Sequence, residues 1–231
     1  MQFRDFMASE AARCRYWMRS QIGWPRFSAA EPNSIHHNLV RLEQAGLVSG
    51  VITQNVDGLH TRSGQKNLID LHGRLAEVIC MDCGGIFPRR DFQKRLEALN
   101  PDVNSRVNPG SVATAPDGDV FLEPQAGQPF NVPACELCGG ILKPNVVFFG
   151  ESLPPQRITR SFELIDNSAS LLVLGSSLMV FSGFRYARHA HTQQLPLALV
   201  NHGVTRADEL ATLKINADCG DILNDLCQRI L

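Results

Sequence analysis

Ser170-Leu171-Leu172-Val173-Leu174-Gly175-Ser176-Ser177 decides the fold. A continuous apolar run of this kind predicts a strand buried on both faces of a parallel sheet. Gly175 allows close backbone approach, and the two serines offer hydroxyls to a phosphate or a ribose. The same design repeats outward along the chain. Leu197–Val200 is a second apolar strand and runs into Asn201-His202-Gly203. Val48–Thr53 is an earlier one and runs into Gln54-Asn55-Val56-Asp57. A short strand over Leu68–Leu71 leads to His72. Polar residues after a single strand are usually turn formers. Repeated at three strand ends they point to one extended polar ligand, because open parallel sheets bind ligands beyond the carboxyl ends of their strands. Neither Gly-x-Gly-x-x-Gly nor a Walker loop is present.

Helical patterns separate these strands. Residues 3–20 read as helix, with Phe3, Phe6, Met7, Ala11 and Cys14 near helical spacing. Ile22–Pro32 carries Gly23, Pro25 and Pro32 and reads as a connecting loop. Asn33-Ser34 caps a helix whose apolar side is Ile35, Leu39 and Leu42, and Gly46 ends it. Further helices are predicted over Ile158–Asn167, Gly183–Gln193 and Asp221–Leu231, with a short extended segment at Val146–Phe149. Strands alternating with helices predict an α/β protein with a doubly wound parallel sheet.

Two Cys-x-x-Cys pairs, Cys80/Cys83 and Cys135/Cys138, interrupt this pattern. Each pair can grip one side of a tetrahedral zinc, and the two together complete its shell. Gly84-Gly85 and Gly139-Gly140 follow the second cysteine of each pair and let backbone N–H groups turn toward sulfur. Four thiolates leave no open coordination position, so the zinc is expected to be structural. Residues 78–142 read as a zinc-binding module with a long insertion rich in Pro, Gly, Asn and Asp between Asn100 and Pro133. Residues 1–77 and 143–231 read as the parallel-sheet domain.

Composition narrows the function. The chain has 231 residues, enough for one large domain or one with a satellite. Its formal charge of -1 gives no electrostatic reason to expect nucleic acid or an anionic membrane as partner. The longest apolar stretch is broken by Gly175-Ser176-Ser177, too short to span a bilayer. The start, Met1-Gln2-Phe3-Arg4-Asp5, lacks a signal-peptide pattern. Seven cysteines, with Cys14, Cys219 and Cys227 outside the pairs, fit a reducing compartment. His72 is one of seven histidines able to take a proton near neutral pH, and a lone histidine is more often a packing residue.

Taken in order, Thr53-Gln54-Asn55-Val56-Asp57, Leu71-His72-Gly73, the cysteine pairs, Lys143-Pro144-Asn145-Val146-Val147-Phe148-Phe149-Gly150-Glu151 and Gly175-Ser176-Ser177 resemble the sirtuins. Arg15-Tyr16-Trp17, Gly23-Trp24, Asp117-Gly118-Asp119 and Cys219-Gly220 are similar to the class with mitochondrial members and bacterial relatives. The resemblance implies a Rossmann-like domain beside a zinc module, with NAD and an acyl-lysine peptide meeting in the cleft between them. It implies NAD-dependent removal of acyl groups from protein lysine, releasing nicotinamide and O-acyl-ADP-ribose. His72 would be the general base on a ribose hydroxyl. Asn55 would orient the ribose, Asp57 would hold the nicotinamide carboxamide beside Val56, and Gln54 would contact ribose. Gly175, Ser176, Ser177, Asn201, His202, Gly203 and Cys219 would hold phosphates and adenosine. Phe149, Gly150 and Glu151 would pair edge-on with the substrate backbone, with Val147 near the acyl-lysine nitrogen.

One departure accompanies the resemblance. Sirtuins begin with a strand leading to Gly-Ala-Gly-x-Ser and then Gly-Ile-Pro-Asp-Phe/Tyr-Arg, and Met1 aligns after both. A chain without them lacks a central strand and part of the NAD site. Either the natural protein is longer or this is a shortened, impaired relative, and the later residues favour the longer protein. Alternatives are a protein ADP-ribosyltransferase on the same fold or a zinc-bearing binding module. A bacterial-type cytoplasmic location is expected, or the mitochondrial matrix if the native N-terminus is longer.

Overall fold

Ser9 ends one helix and starts the next. Its N–H bonds the Asp5 carbonyl, and its hydroxyl accepts the Ala12 N–H at 3.2 Å. The structure, a computed structural model, describes residues 1–103 and 129–231. Asp117-Gly118-Asp119 and most of the expected insertion lie outside the described residues. In chain order the elements are α1 (Phe3–Ala8), α2 (Glu10–Ser28), α3 (Ser34–Gln44), β1 (Val51–Thr53), α4 (Leu59–Ser63), β2 (Leu68–Asp70), β3 (Gly73–Cys80), β4 (Ile86–Pro88), α5 (Arg89–Leu99), β5 (Leu142–Val146), α6 (Pro155–Asp166), β6 (Leu171–Leu174), α7 (Phe181–Thr192), β7 (Leu197–Val200), β8 (Leu213–Ile215) and α8 (Cys219–Ile230).

The chain forms two compact units. One contains Met1–Ala30, Asn55–Gly58 and His72–Ser152, the other Glu31–Gln54, Leu59–Leu71 and Leu153–Leu231. In the first, β4-β3-β5 form an antiparallel sheet. Trp17 of α2 is fully buried here, its indole N–H donating to the Leu142 carbonyl at 3.1 Å and its ring 4.6 Å from Phe92. Arg89 lies over Trp17 and Trp24 at 5.3 and 4.8 Å, and burial pulls its guanidinium down to about 10.

The loop expected over Ile22–Pro32 is helical as far as Ser28. Pro25 cannot donate to the Gln21 carbonyl, and a proline inside a helix is costly for that reason. Here the Gln93 side-chain amide donates to that carbonyl at 3.0 Å. The partner comes from 72 residues away and is invisible to a local pattern.

In the second unit, Asn33 caps α3 by accepting from Ile35 and His36 N–H groups. Leu47 N–H reaches the Leu42 carbonyl and Gly46 N–H the Glu43 carbonyl, with Gly46 at φ 75, a Schellman ending. α3 packs on α8 through Leu39, Leu42, Leu223 and Cys227. The parallel strands are present as expected, but as two sheets: β1-β2, and β6-β7-β8. β6 is also not buried on both faces, since Leu172 is 40% exposed. It pairs with β7 alone, and among the described residues no strand covers its other edge. The strand expected over Val48–Thr53 is confined to Val51–Thr53, while the Asn67 side chain ties down the Ser49 carbonyl. Likewise Val146–Phe149 is extended only at its start: β5 ends at Val146, and Gly150 turns the chain at φ 79. No helix among the described residues is long and apolar enough to cross a membrane.

Candidate active site and metal centre

The cysteine pairs form two matching knuckles. Gly84 N–H donates to the Cys80 carbonyl and Cys80 N–H to the Gly85 carbonyl; Gly139 and Gly140 stand in the same relation to Cys135. Gly84 and Gly139 sit at φ 71 and 76, where a side chain would strain the turn. All four sulfurs lie within 4.8 Å of one another, with Cys80–Cys138 at 3.5 Å and Cys83–Cys135 at 3.8 Å. A zinc with four thiolates about 2.3 Å away puts its sulfurs about 3.8 Å apart, so the set fits that ion. The Cys83 N–H aimed at the Cys80 sulfur outweighs burial and holds that thiol down at about 7.

His72 is half-buried and fixed by its backbone. Val147 N–H donates to the His72 carbonyl at 2.8 Å. Gly73 follows at φ 86, and a Cβ there would meet the Asn145 carbonyl oxygen at 2.0 Å. Only glycine permits this approach, so the Leu-His-Gly order is a steric requirement of the turn that aims His72. The nearby Val56 carbonyl accepts the Leu75 N–H at 2.9 Å. Exposed Asn55 and half-buried Asp57 flank Val56, so both segments are anchored at the start of β3.

The segment after β5 is set by a buried cation. The Lys143 ammonium, its side chain 4% exposed, bonds the Pro144 and Val146 carbonyls and Glu151 Oε2 at 3.2, 2.5 and 3.0 Å. It also lies 4.7 Å from the Phe148 ring. The same Glu151 oxygen accepts the Phe148 N–H at 2.9 Å. Val147, Phe149 and Gly150 are thereby held in one loop. Phe149 is 63% exposed, and its carbonyl is already engaged by Phe3 N–H at 2.9 Å. The N-terminal segment thus occupies part of the backbone edge that the resemblance would assign to a peptide.

In the second unit the expected residues gather at the carboxyl ends of parallel strands. Gln54 Nε2 donates to Ser176 Oγ at 3.0 Å, joining the ends of β1 and β6. Gly175, at φ 61, donates to the Val200 carbonyl, and a Cβ there would lie 3.6 Å from the Cys219 sulfur. The Cys219 thiol donates to the same Val200 carbonyl at 3.2 Å, and burial pushes it up with help from Asp218. Asn201 N–H bonds Ile215, its side chain donates to the His202 carbonyl, and Gly203 N–H bonds Asn216. The Ser177 carbonyl accepts Arg206 N–H at 2.8 Å.

Three residues were not singled out by the sequence. Gly183 lies under Gln54, whose amide atoms would be 2.7 Å from a Cβ there. A glycine inside a helical pattern was the available signal. Leu178 is buried at φ 55, its N–H donating to Ser176 Oγ; a leucine gives no sequence sign of that conformation. The Lys143 clamp had a weaker sign, a lysine and a glutamate bracketing an apolar run.

The Sir2 family matches residues 1–182. An NAD-dependent protein deacetylase of Xanthomonas axonopodis pv. citri (strain 306) is 49% identical over 221 residues, 96% of this chain and 74% of that protein. The mitochondrial NAD-dependent protein lipoamidase sirtuin-4 of Bos taurus is 44% identical over 223 residues, 96% of this chain and 70% of that one. A solved structure of Sir2 bound to acetylated peptide is similar with a TM-score of 0.79 at 28% identity, covering 99% of this chain and 82% of that one.

Proposed function

The chain belongs to the Sir2 family, and from that premise we propose how its own residues carry out NAD-dependent removal of acyl groups from protein lysine. The turn at His72 carries the reading. Among the described residues it is the one histidine whose backbone is fixed by a glycine no other residue can replace and by a bond to Val147, which the resemblance would set near the acyl-lysine.

The donor set fits part of a dinucleotide. Hydroxyls, an amide and a left-handed glycine stand at the ends of parallel strands, where such ligands lie. When bound, NAD would supply a ribose carbon that takes the acyl oxygen as nicotinamide leaves; with one water, the acyl group would end on the ribose as O-acyl-ADP-ribose and the lysine amine would be freed. Asp57 and Val56 hold the carboxamide, and Asn55 and Gln54 hold the ribose. Gly175, Ser176, Ser177, Asn201, His202, Gly203 and the Cys219 backbone hold the phosphates and adenosine. His72 takes the proton of a ribose hydroxyl through its imidazole. Apart from the Phe149 carbonyl, which Phe3 N–H holds, Phe149, Gly150 and Glu151 present backbone to an acylated peptide, which makes binding tolerant of its sequence. Zinc, held by Cys80, Cys83, Cys135 and Cys138, has a full shell and a structural part. A bacterial-type cytoplasmic location goes with the bacterial relatives, and the mitochondrial matrix with the sirtuin-4 relative.

Nicotinamide release measured with NAD and an acetyl-lysine peptide tests the reading. Release is expected only when both are present. His72→Ala is expected to lower kcat by about 100-fold or more. Full turnover by that variant would remove His72 as the base. Label passing from NAD to protein without acyl peptide would indicate ADP-ribosyl transfer instead.

A further inference from the structure

Phe181, Arg185 and Arg188 share one face of α7 at the spacing i, i+4, i+7. The Phe181 ring is 44% exposed and faces three guanidiniums, those of Arg185, Arg188 and Arg206, at 5.1, 5.3 and 6.0 Å. Arg206 is pinned by its bond to the Met179 carbonyl and by the Phe184 ring at 4.4 Å. Met179, directly before this face, is 56% exposed. Among the described residues none of the three arginines is in an ion pair, and the Arg185 Nε is buried without an acceptor. Three like charges held around one exposed ring raise the local positive potential in a chain whose net charge is only -1.

We propose that this face of α7 docks an acidic stretch of the protein substrate, with carboxylates on the guanidiniums and an apolar side chain on Phe181 and Met179. Guanidiniums match carboxylates in two-pronged geometry. Arginine over an aromatic ring leaves its N–H edge free to donate. The inference deepens the deacylase reading by naming a feature of the substrate, but its test needs no turnover.

Fluorescence anisotropy of a labelled, unacylated peptide carrying three Asp residues around a Leu reads the docking directly. The Asp peptide is expected to bind about tenfold tighter than its Asn counterpart, and the preference should fade at high salt. Arg188→Glu should erase the preference, whereas Arg188→Lys, which keeps the charge, should retain most of it. Equal binding of the Asp and Asn peptides overturns the proposal, as does an Arg188→Glu protein that still prefers Asp. Tighter binding of a single-stranded oligonucleotide of equal charge would also overturn it, because arginines around an aromatic ring can serve that ligand too.

Discussion

Lys143 shows how one buried charge can shape a site. A desolvated ammonium is costly unless its donors are met, and here two carbonyls and Glu151 meet them. Lys143→Met would leave the Glu151 carboxylate uncompensated and the loop unclamped. We expect a loss of about 3–5 kcal/mol in urea unfolding and a raised KM for the acyl peptide. Lys143→Arg should recover part of the KM. A variant with unchanged stability would show that the clamp is idle. Gly183→Ala is a milder test, because the Gln54 amide it displaces is the far end of a flexible side chain. The KM for NAD should rise about tenfold with the melting temperature nearly constant, and an unchanged KM would remove Gln54 from the ribose site. The sequence placed Lys143 and Glu151 in one motif. It did not place the lysine among carbonyls, because burial of an ammonium runs against its usual exposure.

At the scale of elements, what was readable were the patterns that close on themselves. Asn33 and Gly46 bound α3 by local chemistry, and their reading matched the structure. The cysteine knuckles are equally local, each turn bonding within a few residues. Helix α2 runs further than its sequence pattern suggests because the amide that stabilises it past Pro25 comes from α5. Gln93→Leu should therefore cost about 1–2 kcal/mol by freeing a buried carbonyl, read by urea unfolding, and should loosen the helix after Gln21. The zinc site predicts a larger effect. Metal analysis should find one zinc per chain, and a strong chelator should remove it with cooperative loss of helix and tertiary signal from the first unit, since such metal binding is itself folding free energy. Cys135→Ser should abolish binding; a fully folded, zinc-free variant would refute the assignment.

For the molecule as a whole, the parallel strands are split. The sequence predicts an apolar strand buried on both faces and also a chain without a central strand; among the described residues the parallel strands form a two-stranded and a three-stranded sheet, each with an open edge. An apolar run states that a strand wants cover without saying whether a neighbour supplies it. In parallel ladders alternate residues point their N–H groups to opposite sides. Leu171 and Gly175 donate toward β7, so Leu172 and Leu174 donate away from it. On β1, Val51 donates toward β2, so Ile52 faces the other way. Two-stranded sheets are marginal alone, which makes this edge the soft part of its unit. Native-state hydrogen exchange should find the amides of Ile52, Leu172 and Leu174 exchanging at least about tenfold faster than those of Leu199 and Val200 on doubly paired β7. If NAD binds the ends of these strands as proposed, its addition should slow the edge amides more than those of β7. Edge amides protected as strongly as β7 without ligand would mean that the two sheets are joined in solution.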